Sequence, residues 1–171
     1  MEVKMLDVIY KRRSIRKYQN KPVEEEKLNE VLKAAMYAPS GMNKQPWHFI
    51  VCKERKTLDE VQKIHPYSSM LSSAPCCIIV AGDTKMEHAK GSYIQDCAAA
   101  VENLLLAACA LELGTCWLGI YPDKTRQEQF KKLFNMPSDI EPLCVVALGY
   151  PDEKKDMPQR FDQSKVHFEK W

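Results

Sequence analysis

Lys11-Arg12-Arg13-Ser14-Ile15-Arg16-Lys17 is the stretch with the densest chemistry in the chain. Five of these seven residues are cationic, arginine outnumbers lysine three to two, and a hydroxyl sits among them. Guanidinium forks pair with phosphate in a fixed geometry, so such a cluster suits a small anion whose oxygens need several donors at once. A solvated basic face or a nucleic-acid patch is the competing reading of any charge run. The serine inside the run and the arginine excess favour a phosphate. Leu6, Ile9 and Tyr10 fit one face of a short helix that leads into it.

A second stretch, Ala38-Pro39-Ser40-Gly41-Met42-Asn43-Lys44-Gln45-Pro46-Trp47, crowds turn-forming and amide residues between two prolines. Such a loop presents donors and acceptors from a fixed backbone. An ordinary helix-to-strand connection has the same composition. Thr115-Cys116-Trp117-Leu118-Gly119-Ile120 is predicted as a buried strand, with Gly119 where a backbone or a ligand comes close.

The totals narrow the class. A chain of 171 residues with 45% apolar and 28% charged residues suits one soluble globular domain with a real core. A net charge of +2 is too mild for a nucleic-acid partner, although residues 1–21 hold seven Lys or Arg against Glu2 and Asp7. The start is polar and charged from Glu2 onward, unlike a signal peptide. The longest apolar run, Leu104 to Leu111, has eight residues, far below the roughly 18–20 of a membrane span. Seven cysteines in apolar surroundings, without a Cys-x-x-Cys pair, point to free thiols in a reducing cytoplasm. The four histidines lack metal-ligand spacing, so no metal is expected.

Periodicity supplies the frame. Leu28, Val31, Leu32, Ala35 and Ala38 predict a helix entered through Pro22 and Glu24 to Glu26 and stopped by Pro39. Trp47 to Cys52 and Cys76 to Ala81 look like strands, with a helix through Leu58, Val61 and Ile64 between them. Ser92 to Leu111 forms a helix with one polar stripe (Ser92, Gln95, Asp96, Glu102, Asn103) and is apolar elsewhere. Such a helix needs cover on nearly every side, and a second subunit is its natural cover. Asp123 caps a helix using Phe130, Leu133 and Phe134, and Pro142 opens a last strand, Leu143 to Tyr150. From Pro151 on, ten of 21 residues are charged, yet Met157, Phe161, Val166, Phe168 and Trp171 recur, as in an arm lying on a partner's surface. Strands alternating with helices suggest by themselves an α/β fold with a parallel sheet.

Taken in order, these features resemble the nitroreductase family of flavin enzymes. The resemblance rests on Arg12 to Arg16, Ala38 to Phe49, the helix from Gln95-Asp96 to Ala108, Trp117-Leu118-Gly119, Leu148-Gly149-Tyr150-Pro151, and His167 to Trp171. It departs at Glu112, where the family usually carries a glycine before Leu113-Gly114. The resemblance implies one α+β domain over residues 1–171, a mixed central sheet flanked by helices, and a homodimer with exchanged arms (151–171) and FMN at the interface. By position, Arg12, Arg13 and Ser14 would hold the phosphate and ribityl chain, and Arg16 the pyrimidine end of the ring. Pro39, Ser40, Gly41 and Asn43 match a loop reaching the flavin from the other subunit. Trp117, Leu118 and Gly119 match the backbone beside the hydride-accepting nitrogen, and Arg160 a second phosphate ligand. No catalytic acid–base side chain is implied.

The implied reaction is ping-pong, with NAD(P)H reducing FMN and a nitroaromatic, quinone or other small electrophile then oxidising it. Dehalogenating, flavin-destroying and azoline-oxidising relatives share these motifs, and a flavin-storage protein would carry them too. The absence of a Rossmann glycine pattern leaves NADH and NADPH both open. The segment His65 to Ser73 and Tyr93 are expected to shape the substrate pocket.

Overall fold

Two strands at the centre of the protein are buried on both faces, and the rest of the chain is arranged to cover them. The structure, a computed structural model, describes residues 5–171. In chain order the elements are α1 (Met5–Lys11), α2 (Glu25–Met36), β1 (Trp47–Cys52), α3 (Arg55–Ile64), β2 (Cys76–Asp83), α4 (Tyr93–Ala110), β3 (Gly114–Gly119), α5 (Lys124–Leu133) and β4 (Ile140–Gly149). The four strands form one sheet in the order β1-β2-β4-β3. Cys76, Ile78 and Val80 of β2, with Cys144, Val146 and Leu148 of β4, pack against α2 and α4. The alternate residues Cys77, Ile79, Val145 and Ala147 pack on the other face with Leu58, Val61 and Phe130 of α3 and α5.

The α+β class and the flanking helices are as the resemblance implies, while the parallel sheet suggested by the alternation of elements is not found. Every pairing of the named strands is antiparallel. The mixed character comes from one parallel bridge, Ser14 to Thr115. The uninterrupted apolar runs report two covered faces, and two covered faces say nothing about direction. Pro142 lies inside β4, not at its start, and the β2–β4 register shifts opposite it between Val80 and Ala81. A residue without an N–H is accommodated where the ladder is already broken.

In α1 the residue that turns inward is Val8, whereas Leu6, Ile9 and Tyr10 are exposed. Asp96, placed by periodicity on the polar stripe of α4, is buried. Met157, Phe161, Phe168 and Trp171 are exposed. All seven cysteines are free. Among the described residues no helix is long and apolar enough to cross a membrane, and no group of three or more His, Cys, Asp or Glu is placed to hold a metal.

Glu112 ends α4 in the left-handed region, at φ 64°, and Leu113 N–H closes the turn on the Ala108 carbonyl at 2.8 Å. This is the helix stop at which glycine is usual. A side chain there costs on the order of 1–3 kcal/mol, and glycine gives back roughly 0.5–1 kcal/mol through its freer unfolded chain. Glu112→Gly is therefore expected to stabilise the protein by about 1 kcal/mol, read as a rise of about 2–4 °C in melting temperature. An unchanged or lower Tm would show that the Glu112 side chain offsets the strain.

Candidate functional site

Five cations do not gather by themselves; apolar neighbours place them. Ile15 and Tyr18 are the buried members of the basic stretch. Ile15 lies over Gly114, where an added Cβ would stand 2.8 Å from its side chain. Ile15 N–H donates to the Thr115 carbonyl at 2.8 Å, which lays the run along the outer edge of β3. The Tyr18 hydroxyl donates back to the Ile15 carbonyl at 2.8 Å. With 15 and 18 fixed inward, Arg16 is held in solvent and Arg12 and Arg13 are part-buried.

The segment after β4 clamps the run from the other side. Asp152 N–H donates to the Lys17 carbonyl at 2.9 Å, and the Lys155 ammonium to the Ser14 carbonyl at 2.8 Å. Arg13 Nε donates to the Asp156 carbonyl at 2.9 Å. Glu153 accepts the Arg16 backbone N–H. That bond, helped by nearby Lys155, holds the Glu153 carboxyl below the usual carboxylate range despite its partial desolvation.

The run thereby serves three spaces. Lys11, Arg12, Arg13 and Lys155 surround a cavity of about 270 Å³, with Glu112 and Glu153 also on its wall. Arg12 keeps a loose ion pair with Glu102, Nε to Oε1 at 3.7 Å. Arg13 shares a groove of about 480 Å³ with Arg160, floored by Ile9, Tyr10 and Phe161. Arg16 enters a cleft of about 570 Å³ with Trp117, Leu118, Gly119, His65, Tyr67 and Arg126. Trp117 is part-exposed and Leu118 is buried. A Cβ built on Gly119 would meet nothing closer than the Tyr121 carbonyl oxygen at 3.5 Å, so the space above the glycine belongs to the cleft.

The loop residues Pro39, Ser40, Gly41 and Asn43 line none of these three spaces. Gly41 N–H donates to Asp96 Oδ1 at 3.0 Å, which ties the loop to the start of α4. Ser40 Oγ accepts Gln45 N–H at 2.9 Å, and Asn43 Oδ1 accepts Gln45 Nε2 at 2.8 Å. Met42, Asn43 and Gln45 all take left-handed backbone, so the loop is held in a strained, specific shape. The second oxygen of Asp96 is buried without a partner among the described residues.

Tyr93, expected at the substrate pocket, is buried against Gly82, where an added Cβ would lie 2.4 Å from its ring, and it does not line the cleft. Burial pushes its hydroxyl pKa up to about 12. The segment from His65 to Ser73 does contribute, through His65, Pro66, Tyr67, Ser69 and Met70. It is folded down by buried His65, Ser68, Met70 and Leu71.

Arg126 and Lys155 escape the sequence reading. Arg126 donates from Nη1 to the Gly119 carbonyl at 2.9 Å and pairs through Nη2 with Asp123 Oδ2 at 3.1 Å. A cation in the first turn of α5, where the helix dipole disfavours it, is a signal that could have found it. Lys155 sits among charged neighbours with no spacing to mark it.

A model described as "Nitroreductase family" matches residues 9–67 and 64–150. The chain belongs to the nitroreductase family. A Methanothermobacter thermautotrophicus protein with the provisional name NADH dehydrogenase/NAD(P)H nitroreductase is 44% identical over 98% of this chain and 87% of its own. The crystal structure of a Bacteroides thetaiotaomicron protein with the same provisional name superposes with a TM-score of 0.94 at 40% identity, over the full length of both chains. A Desulfovibrio desulfuricans protein provisionally called a nitroreductase, solved in complex with FMN, gives a TM-score of 0.85 at 30% identity over 100% of this chain and 99% of that one. Within this nitroreductase-family chain, the motif residues around Arg12 to Arg16 and Trp117 to Gly119 converge on one side of β3, and those of the 39–43 loop do not.

Proposed function

We propose that this nitroreductase-family chain is an FMN-dependent oxidoreductase that draws on NAD(P)H and reduces a small electrophile such as a quinone or nitroaromatic compound. One observation carries the reading: a single fixed backbone presents Arg12 and Arg13 to a cavity at the start of β3 and Arg16, three residues on, to a cleft at its end. A flavin mononucleotide has its dianion at one end and its ring at the other, and this donor set matches that polarity. Lys11, Arg12, Arg13 and Lys155 would take the phosphate, with Ser14 between them and the ring, and Arg160 would add a cation through Arg13's groove. Trp117, Leu118 and bare Gly119 would form the bed of the ring.

Bound FMN supplies the hydride acceptance and release that no side chain here can perform. Arg16 puts a permanent positive charge where negative charge grows on reduction, and arginine does not lose its proton near neutrality. Nicotinamide and electrophile use the open cleft in turn. The homodimer belongs to the same reading: the 39–43 loop, strained and anchored by Asp96, lines none of its own chain's three spaces and would serve the partner's. The seven free thiols suit a cytoplasmic enzyme.

The test is anaerobic. Flavin-loaded protein is reduced with NADH or NADPH, then mixed with quinones, nitroaromatics and halogenated phenols. Rapid reoxidation by quinones or nitroaromatics is expected; reduction by neither nucleotide would leave a flavin-storage protein. In the same preparation Arg16→Gln is expected to lower the flavin midpoint potential by a few tens of millivolts, about 30 mV corresponding to roughly 1.4 kcal/mol for two electrons. An unchanged potential with weakened FMN binding would move Arg16 to the phosphate ligands.

A further inference from the structure

His65 is 2% exposed, yet it stands between two walls of the cleft. Its Nε2 lies 2.9 Å from the Gly119 carbonyl oxygen, and its Nδ1 lies 3.3 Å from the Tyr67 backbone N–H. A carbonyl only accepts and an N–H only donates. Nε2 must therefore carry the proton and Nδ1 must be bare, which selects one neutral tautomer. Neither nitrogen is left for a substrate, so His65 is not an acid–base catalyst.

What the ring holds is the end of the edge strand β3. Ile120 N–H points to the Leu143 carbonyl of β4 at 2.9 Å, so the trans peptide turns the Gly119 carbonyl away from the sheet. Among the described residues no named strand pairs with β3 on that side. The carbonyl is instead taken by His65 from the turn after α3 and by Arg126 Nη1, at 2.9 Å, from α5. Gly119 has no side chain with which to hold itself.

We propose that His65, in its neutral Nε2–H form, is a positioning residue that fixes the Gly119 peptide and the Tyr67 turn as the bed and wall on which the reacting flavin ring lies. This rests on the cleft being the flavin site. Protonation would set a new N–H against the Tyr67 N–H and place a cation beside Arg126. Of the other charged groups near the ring, Asp123, the cap of α5, favours the cation, and Arg16 lines the same cleft. Burial foremost, with Arg126 adding to it, pushes the imidazole below its ordinary 6.5, against the Gly119 bond. The native state therefore prefers the neutral ring, the unfolded chain takes up the proton first, and the contact's contribution is lost as pH falls below 6.5.

The ligand-free protein decides the geometry. Nitrogen-15 NMR of labelled apoprotein is expected to show an Nε2-protonated His65 that titrates below the free-histidine range. An Nδ1–H tautomer, or ordinary titration, overturns the proposal. In the holoprotein, His65→Phe keeps the ring's bulk and removes both bonds. It is expected to slow flavin reduction by NAD(P)H about tenfold or more, the scale of a sub-ångström to one-ångström misplacement, while FMN affinity stays near the parent value. His65→Gln returns a donor to the Gly119 carbonyl and is expected to recover much of the rate. A Phe variant as fast as the parent, or a Gln variant no better than Phe, overturns the proposal alone. Parent protein that binds no FMN overturns the flavin reading and the proposal with it. Should the Phe variant not fold, the NMR result and the Gln variant still decide.

Discussion

Arg12→Ala is expected to weaken FMN binding about tenfold to a hundredfold and leave the melting temperature almost unchanged. A hydrogen bond to a charged group is worth roughly 1.5–3 kcal/mol, and each 1.4 kcal/mol is a factor of ten in affinity. What the fold loses is smaller. Among the described residues Arg12 has one ion pair, with Glu102 at 3.7 Å, which is stretched and joins a guanidinium 19% exposed to a carboxylate half in solvent. Such pairs contribute about 0–1 kcal/mol. Titration of apoprotein with FMN, followed by quenching of flavin fluorescence, and a thermal melt of the same sample separate the two effects. Parent affinity in the variant would return the basic run to a solvated face.

Removing residues 161–171 is expected to convert a dimer into monomers and to release the flavin. Within one chain Phe161 is 81% exposed, Phe168 78% and Trp171 fully, while α1 turns Leu6, Ile9 and Tyr10 outward. Full burial of one such side chain contributes about 1.5–3 kcal/mol, so leaving this set in water is costly. Exchanged arms would cover it, in an interface of the class above about 2,000 Å². Light scattering of the parent should give twice the chain mass and the truncated protein the chain mass, with yellow colour lost on dialysis. A parent protein that is monomeric and still holds FMN tightly would contradict the exchanged arm.

What could be read ahead of the structure follows from which forces are local. The helix through Leu28, Val31 and Ala35, the cap at Asp123 and the strand at Trp47 each rest on neighbours in sequence, and each forms as expected. Asp123 accepts the Arg126 N–H as a cap should. Strand direction rests on partners far along the chain, and a run such as Cys76 to Ala81 looks alike in either direction once both faces are covered. Periodicity also misplaces Asp96, because the donor that permits its burial is Gly41, 55 residues away. Arg12 to Arg16 and Trp117 to Gly119 were legible as separate motifs, but their meeting depends on Ile15 joining Thr115 across a hundred residues. Arg126 reaches the cleft by the same long-range packing and leaves little trace in local pattern.

The central claim is that the basic run is a phosphate cradle continuous with a flavin bed. Parallel titrations of the apoprotein with FMN and with riboflavin, which share a ring and differ in the phosphate, test it most directly. FMN is expected to bind at about one per chain and far more tightly than riboflavin, with the gap narrowing in Arg12→Ala. Equal affinity for the two would contradict the account.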